Sequence, residues 1–281
     1  MSEHTESDNV TVGFVGAGNM AAALIDGLLA NGWSAAQMRA SDTDQSRLEL
    51  LTEKGVTTCT DNRSIIEQSS LVILAVKPQI MDEVLAPLKE TLVDNPCLLV
   101  SIAAGISMAN LQAWTHQEQA IVRCMPNTPA LVQAGASALF ANPSCGESQR
   151  NQAEEVLKAV GIVTWLDKEE DMDAVTALSG SGPAYFFLLM EAMQKAAVTL
   201  GLDKDTAEIL CQQTALGAAK LAQSSDVDVE ELRRRVTSPG GTTEAALNQF
   251  ESEDFNAIVD RALDKAAQRS RELAAPTATD D

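Results

Sequence analysis

Histidine is scarce in this chain, and basic residues are far outnumbered by acidic ones. Its two histidines, His4 in a polar opening stretch and His116 in a loop-like one, offer almost no material for a zinc site or a His-based triad, so no metal is expected. Twenty Lys and Arg stand against forty Asp and Glu, a formal net charge of −20. A field of that sign repels phosphate backbones and anionic bilayers, which argues against nucleic-acid and membrane partners. A small anion is still admissible, because a few amides, a helix end or one nearby cation outweigh a distant, screened charge. Five cysteines, Cys59, Cys97, Cys124, Cys145 and Cys211, are odd in number, scattered and free of any Cys-x-x-Cys pair, the pattern of a reducing compartment. No apolar run approaches the ~20 residues of a membrane span, and residues 1–9 lack the apolar core of a signal peptide. These absences together lead us to expect a soluble, cytoplasmic protein.

The chain does have 281 residues, 45% of them hydrophobic, enough for two modest domains with real cores. Over 10–167, short apolar and β-branched runs at 11–16, 38–42, 57–60, 71–76, 97–103, 120–125, 136–141 and 162–167 alternate with amphipathic or Ala-rich stretches. That rhythm predicts βαβ units and an α/β, mostly parallel, doubly wound Rossmann sheet. Over 168–274 strand-like runs vanish and the pattern predicts an all-α domain, with helices at 169–178, 183–200, 203–224, 228–236, 242–251 and 253–273. The helix opening at Pro183 is apolar nearly all round until Gly201, so it needs cover on every side, and we expect a second copy of the chain to supply part of it. The tails 1–9 and 275–281 have no face to bury and are expected to fray.

A dinucleotide fingerprint opens the first domain. Gly16-Ala17-Gly18-Asn19-Met20-Ala21 follows an apolar strand and leads into a helix closed by Asn31 and Gly32. Gly16 allows the tight turn, Gly18 lets a pyrophosphate approach the backbone, and Ala21 lets helix pack on strand. Asp42, at the tip of the second strand, is the residue type that accepts hydrogen bonds from an adenosine ribose and so favours NAD. Ser41, Thr43, Arg47 and Arg39 are neighbours suited to a 2′-phosphate, and Asp42 would also serve as a helix cap with Gln45 three residues on, so the choice between NADH and NADPH stays open. Ligands of such sheets lie beyond the carboxyl ends of the strands, which singles out Ala75-Val76-Lys77-Pro78, Ile102-Ala103-Ala104-Gly105 and 125–129. Small residues at the first two of these tips would admit the nicotinamide end.

The second informative stretch is Ser238-Pro239-Gly240-Gly241-Thr242-Thr243. Pro239 and the glycines stop one helix and two threonines open the next, so several backbone N–H groups converge on a point suited to a carboxylate. Hydroxyls of Ser238 and Thr243 could add bonds; alternatively, Thr242 or Thr243 serves only as a cap.

In order along the chain, Gly16-Ala17-Gly18-Asn19-Met20, Ala75 to Pro78, Ser101 to Gly105, Arg123 to Pro129, Leu178 to Tyr185 and Ser238 to Thr243 resemble the motifs of Δ1-pyrroline-5-carboxylate reductase, from Val10 to about Leu273. The resemblance implies NAD(P)H-dependent reduction of 1-pyrroline-5-carboxylate to L-proline by a Rossmann domain joined to a helical dimerisation domain, the active site lying between one chain's cofactor and its partner's helices. Carried over residue by residue, it implies that Gly16 to Met20 bind the pyrophosphate and that Asn62 and Ala75 to Pro78 line the cofactor site. It also places Ile102, Ala103 and Ala104 near the nicotinamide, and gives Ser238, Thr242 and Thr243 the substrate carboxylate, with the Thr243 hydroxyl near the ring nitrogen as the catalytic contact. Asp42 departs from the Ser or Asn that many members carry, and Asp226 and Arg235 from the Glu and Asn of some.

Two rival readings are a β-hydroxy-acid or other imine reductase on the same plan, with Lys195 or Lys220 as acid and base, and a regulatory protein that senses NAD(P)H without turnover. Neither lysine sits in a Gly-x-x-x-Gly-x-x-x-Lys context, and the Ser238 to Thr243 turn is foreign to the first. A complete carboxylate nest beside an intact fingerprint is superfluous for the second.

Overall fold

A computed structural model describes residues 10–274, so the two tails lie outside the described residues. Eight strands form one sheet: β1 (Val12–Val15), β2 (Met38–Ser41), β3 (Thr57–Cys59), β4 (Leu71–Leu74), β5 (Leu98–Ser101), β6 (Ile121–Met125), β7 (Gly135–Ala141) and β8 (Gly161–Trp165). Their order is β3-β2-β1-β4-β5-β6-β7-β8, and every pairing is parallel except β6 with β7. The order reverses between β1 and β4, the crevice where doubly wound sheets take their ligands.

The central strands are buried on both faces, and their alternation shows why. Val12, Phe14, Leu71, Ile73, Leu98 and Val100 enter one core; Val15, Val72, Leu74 and Leu99 enter the other. Each such side chain contributes about 1.5–3 kcal/mol by leaving water, so a slip of one register position would exchange the two cores wholesale. The first core is covered by α1 (Asn19–Ala30), through Ala21, Leu24, Ile25 and Leu28, and by α7 (Glu147–Lys158), through Ala153, Val156 and Leu157. Thiols in this interior are deactivated: burial pushes Cys97 and Cys124 up to about 12.

The chain divides into two compact units. One comprises residues to Ser181 together with those from Ala266 on; the other is Gly182–Lys265. The sequence pattern changes at 167/168, ahead of this division, because the segment that follows is helical yet fastened to the sheet. There α8 (Asp171–Val175) widens into a π-helical turn, Thr176–Gly180, whose Ser179 carbonyl accepts from Asn127 Nδ2 at 3.1 Å. Glu169 pairs with Arg123 of β6 and accepts the Met108 N–H at 2.6 Å. The chain also returns to this unit at its far end, where Ser270 Oγ donates to Asp173 Oδ1 at 2.6 Å.

The second unit contains α9 (Gly182–Thr199), α10 (Lys204–Ser224), α11 (Val229–Arg235), α12 (Thr242–Ser252) and the start of α13 (Phe255–Ala274). Asp203 caps α10 and Asp228 caps α11, each accepting a first-turn N–H. The unit does not enclose its own apolar helix: Phe186 is 65% exposed, Phe187 62% and Leu188 67%. The expectation that α9 needs more cover than one chain provides is met in that form.

Candidate functional site

The fingerprint folds as a strand, a tight turn and a helix. Gly16 has φ +96°, a conformation that L side chains rarely adopt, and a Cβ added there would stand 2.8 Å from the backbone carbon and oxygen of Ala75. The turn therefore lies directly on the tip of β4, held also by the Gly16 N–H, which donates to the Ser41 carbonyl at 2.8 Å. Gly18 is the N-cap of α1 and supplies no side-chain acceptor, and the first turn of α1 carries no acidic residue. The leading amides of α1 are thus left to a ligand, with the positive end of the helix dipole behind them. Beside Gly18, a Cβ would meet only Arg47 Nη1, at 3.9 Å.

Asp42 is drawn into this turn. Its Oδ2 accepts the Ala17 N–H at 2.7 Å, its Oδ1 accepts the Asp44 N–H at 2.8 Å, and its side chain is only 11% exposed. Arg47 lies 3.6 Å from Asp42 and 3.4 Å from Asp44. The capping alternative for Asp42 is overturned: the N-cap of α2 (Gln45–Thr52) is Asp44, whose carboxylate accepts from Ser46 N at 3.0 Å and from the Ser46 hydroxyl. The Ser46 hydrogen bond is the main reason that the Asp44 carboxyl is held below its ordinary range. Behind it, Ser41 Oγ donates to Asn62 Oδ1 at 2.7 Å, which fixes the first residue of α3 (Asn62–Glu67).

Around this turn opens a cleft of about 690 Å³. Of the residues singled out from sequence, Gly16, Gly18, Asn19, Asp42, Asn62, Ala75, Val76 and Lys77 line it, as do Ser41, Thr43 and Arg47. Ala17, Met20 and Pro78 adjoin it in the chain without lining it; Ile102, Ala103 and Ala104 leave the carboxyl end of neighbouring β5, where Ile102 N–H donates to Leu74 O. Asp44, Thr60, Ile80 and Val84 were missed. Thr60 was findable, since it follows β3 as Ala75 follows β4 and the same strand-tip rule applies.

The other turn belongs to the second unit. Gly240 has φ +72°, Gly241 is the N-cap of α12, and neither Thr242 nor Thr243 caps the helix by a side-chain bond. The nest is smaller than its sequence suggests, because two of its amides are already engaged. Gly241 N–H donates to Ser238 O at 2.9 Å, and Gly240 N–H donates to the Glu244 carboxylate at 2.8 Å. The first amides of α12 remain, next to the exposed Ser238 and Thr242 and the half-buried Thr243. Lys195, one rival acid and base, is tied to Glu191 on the face of α9.

A family model described as pyrroline-5-carboxylate reductase dimerisation matches residues 169–273, and one described as NADP oxidoreductase, coenzyme F420-dependent, matches residues 11–105. The chain is 53% identical to the pyrroline-5-carboxylate reductase of Pseudomonas aeruginosa over 94% of its length and 96% of the relative's. It is 44% identical to that of Haemophilus influenzae over 93% and 97%. Among solved structures, a pyrroline-5-carboxylate reductase from Coxiella burnetii superposes with TM-score 0.92 at 42% identity, covering 95% of this chain and 99% of the other. The Plasmodium falciparum pyrroline carboxylate reductase with NADP bound gives TM-score 0.84 at 30% identity, covering 95% and 99%.

Proposed function

The chain belongs to the pyrroline-5-carboxylate reductase family, an NAD(P)H-dependent oxidoreductase of proline biosynthesis, and from that premise we propose which of its residues carry the reduction of 1-pyrroline-5-carboxylate to L-proline. The observation that carries this reading is the Gly16 turn, pressed on Ala75 and opening into a helix whose first amides have no side-chain cap.

The Gly16 to Met20 turn holds the pyrophosphate through the leading amides of α1, as helix N-termini hold anions generally, while the amides of Gly16 and Ala17 are spent on Ser41 O and Asp42 to fix the turn. Asn62 and Ala75 to Pro78 line the same site, and at the nicotinamide end Ala103 and Ala104 leave room because their side chains are small, with Ile102 partly buried against the core. Asp42 keeps the turn in its binding shape and offers its remaining lone pairs to the adenosine ribose. When bound, the reduced nicotinamide supplies the hydride that ends on the imine carbon. The chain's own task is orientation. A protonated imine is already electrophilic, so placing it and its charge accounts for most of the acceleration. Ser238, Thr242 and Thr243 hold the substrate carboxylate at the head of α12. The Thr243 hydroxyl does not ionise near neutrality, so its role is a hydrogen bond that positions the ring nitrogen, the proton arriving on the iminium or from water.

In this reading residues 10–167 form the dinucleotide-binding domain and 168–274 the helical domain for substrate and dimerisation. The compartment is the cytoplasm, which the five free thiols favour. The test follows nicotinamide absorbance in the full chain with 1-pyrroline-5-carboxylate, using NADH and NADPH in parallel, for wild type, Ser238→Ala and Thr243→Ala. We expect proline-forming oxidation in wild type and a raised KM for the imine in both variants. No oxidation in a folded, cofactor-binding sample sinks the assignment; unchanged constants in the variants move the carboxylate site elsewhere.

A further inference from the structure

Glu244 holds a position that hydride transfer does not call for. It lies in the first turn of α12, and its carboxylate turns back to accept the Gly240 N–H at 2.8 Å, in the very turn read above as the seat of the substrate carboxylate. A glutamate at the third position of a helix ordinarily returns to the N-cap amide as one half of a capping box. Here the N-cap Gly241 has already given its amide to Ser238 O, and the carboxylate reaches one residue further back, to the glycine with φ +72°.

Among the described residues its carboxylate forms no ion pair. Glu244 shares a cavity of about 530 Å³ with Glu231, Arg233, Arg234 and Thr237. Arg234 is spent on Glu231, as is Arg235 beside it, at 2.6 and 2.8 Å, which together hold the Glu231 carboxyl down to about 2. Among the described residues no ion pair joins Glu244 to any of them. A monoanionic ligand arriving at the head of α12 therefore meets the helix amides and a like charge on a donor it would otherwise use, with Arg233, in the same cavity, standing outside the Glu231 pairs.

Resting on the reading that this turn binds the substrate carboxylate, we propose that Glu244 sets the affinity of the site: an internal carboxylate that occupies the Gly240 amide and weakens the binding of any second carboxylate at the turn. It shapes the loop by fixing Gly240, at the cost of affinity for substrate and for product alike. Thr242 and Thr243 then receive an anion whose binding is held loose enough for L-proline to leave.

The decisive variant is Glu244→Gln in the full chain. Glutamine keeps an acceptor for the Gly240 N–H and removes the charge, so the turn is retained. We expect KM for 1-pyrroline-5-carboxylate and the inhibition constant of L-proline to fall together, by about two- to fivefold as for an exposed like-charge pair. The KM for the nicotinamide cofactor and the Tm should stay at wild-type values, and the difference from wild type should shrink with added salt. An unchanged or raised substrate KM and proline constant, with Ser238→Ala and Thr243→Ala still raising KM, overturns this proposal alone and leaves Glu244 as a helix brace. If Ser238→Ala and Thr243→Ala also leave KM unmoved, the reading of the turn itself has failed.

Discussion

Two glycine-rich turns in this molecule each run into the head of a helix, and they are braced in opposite ways. The Gly16 turn is fixed from afar: β4 presses on it through Ala75, and Asp42 reaches in from the end of β2 to hold the Ala17 amide. The Gly240 turn is fixed from within, by Ser238 behind it and Glu244 four residues ahead. Each spends a carboxylate on one turn amide, Asp42 on Ala17 and Glu244 on Gly240, and each leaves the first amides of its helix free; the difference is that Asp42 comes from another strand and Glu244 from the very helix that the turn opens. Similar composition thus conceals different preorganisation: a rigid cradle for a ligand with a large fixed charge, and a self-satisfied loop for a smaller one.

Several substitutions would break this contrast. Gly16→Ala should have the largest effect, because the new Cβ has backbone for a neighbour and a positive φ to maintain. We expect kcat/KM to fall by more than about 100-fold with either cofactor, with weakened cofactor binding by fluorescence titration. Asp42→Ala comes next, leaving the amides of Ala17 and Asp44 without their acceptor. Cofactor KM should rise for both, about tenfold for NADH and by less for NADPH, so that the ratio of the two moves toward NADPH as the negative charge leaves. A rise for NADH alone would make Asp42 a ribose ligand and nothing more. Thr243→Ala should lower kcat by about tenfold without abolishing it, measured under saturating imine and cofactor. Gly241→Ala is the mildest and sharpens the comparison. Its Cβ would stand 2.9 Å from Ser238 O, yet φ is −84° and the loop is exposed. We expect about a threefold rise in substrate KM, since the loop gives way where the Gly16 turn does not.

The sheet was legible because its chemistry is monotonous: runs such as 71–76 cannot be anything but strands covered on both sides. So was the identity of both turns, from glycine spacing and their place after a strand or helix. The engagement of Asp42 was not, since a carboxylate at a strand tip accepts equally well from a ribose, a helix amide or a turn 25 residues back, and only the fold chooses among them. Glu244 reads as an ordinary first-turn glutamate until its rotamer is known. The exposure of α9 shows the converse. The sequence reported its need for cover, the described residues leave Phe186, Phe187 and Leu188 exposed, and the dimerisation family matched over 169–273 supports a homo-oligomer.

The return of α13 to the first unit bears on how the chain assembles. Ser270 reaches Asp173, and Leu273 Cβ lies 3.1 Å from where a Gly105 Cβ would be, after the whole of Gly182–Lys265 has intervened. In an unfolded chain that interval is a long loop to close, and closure entropy grows with the logarithm of its length, by about 0.6 kcal/mol per doubling. On a ribosome every strand of the sheet is synthesised before the insert, and the insert before the final turns of α13, so those turns are the last to join the first unit. A nascent chain stalled before Ala266 would carry a finished nucleotide fold with Asp173 and Gly105 still waiting for their neighbours.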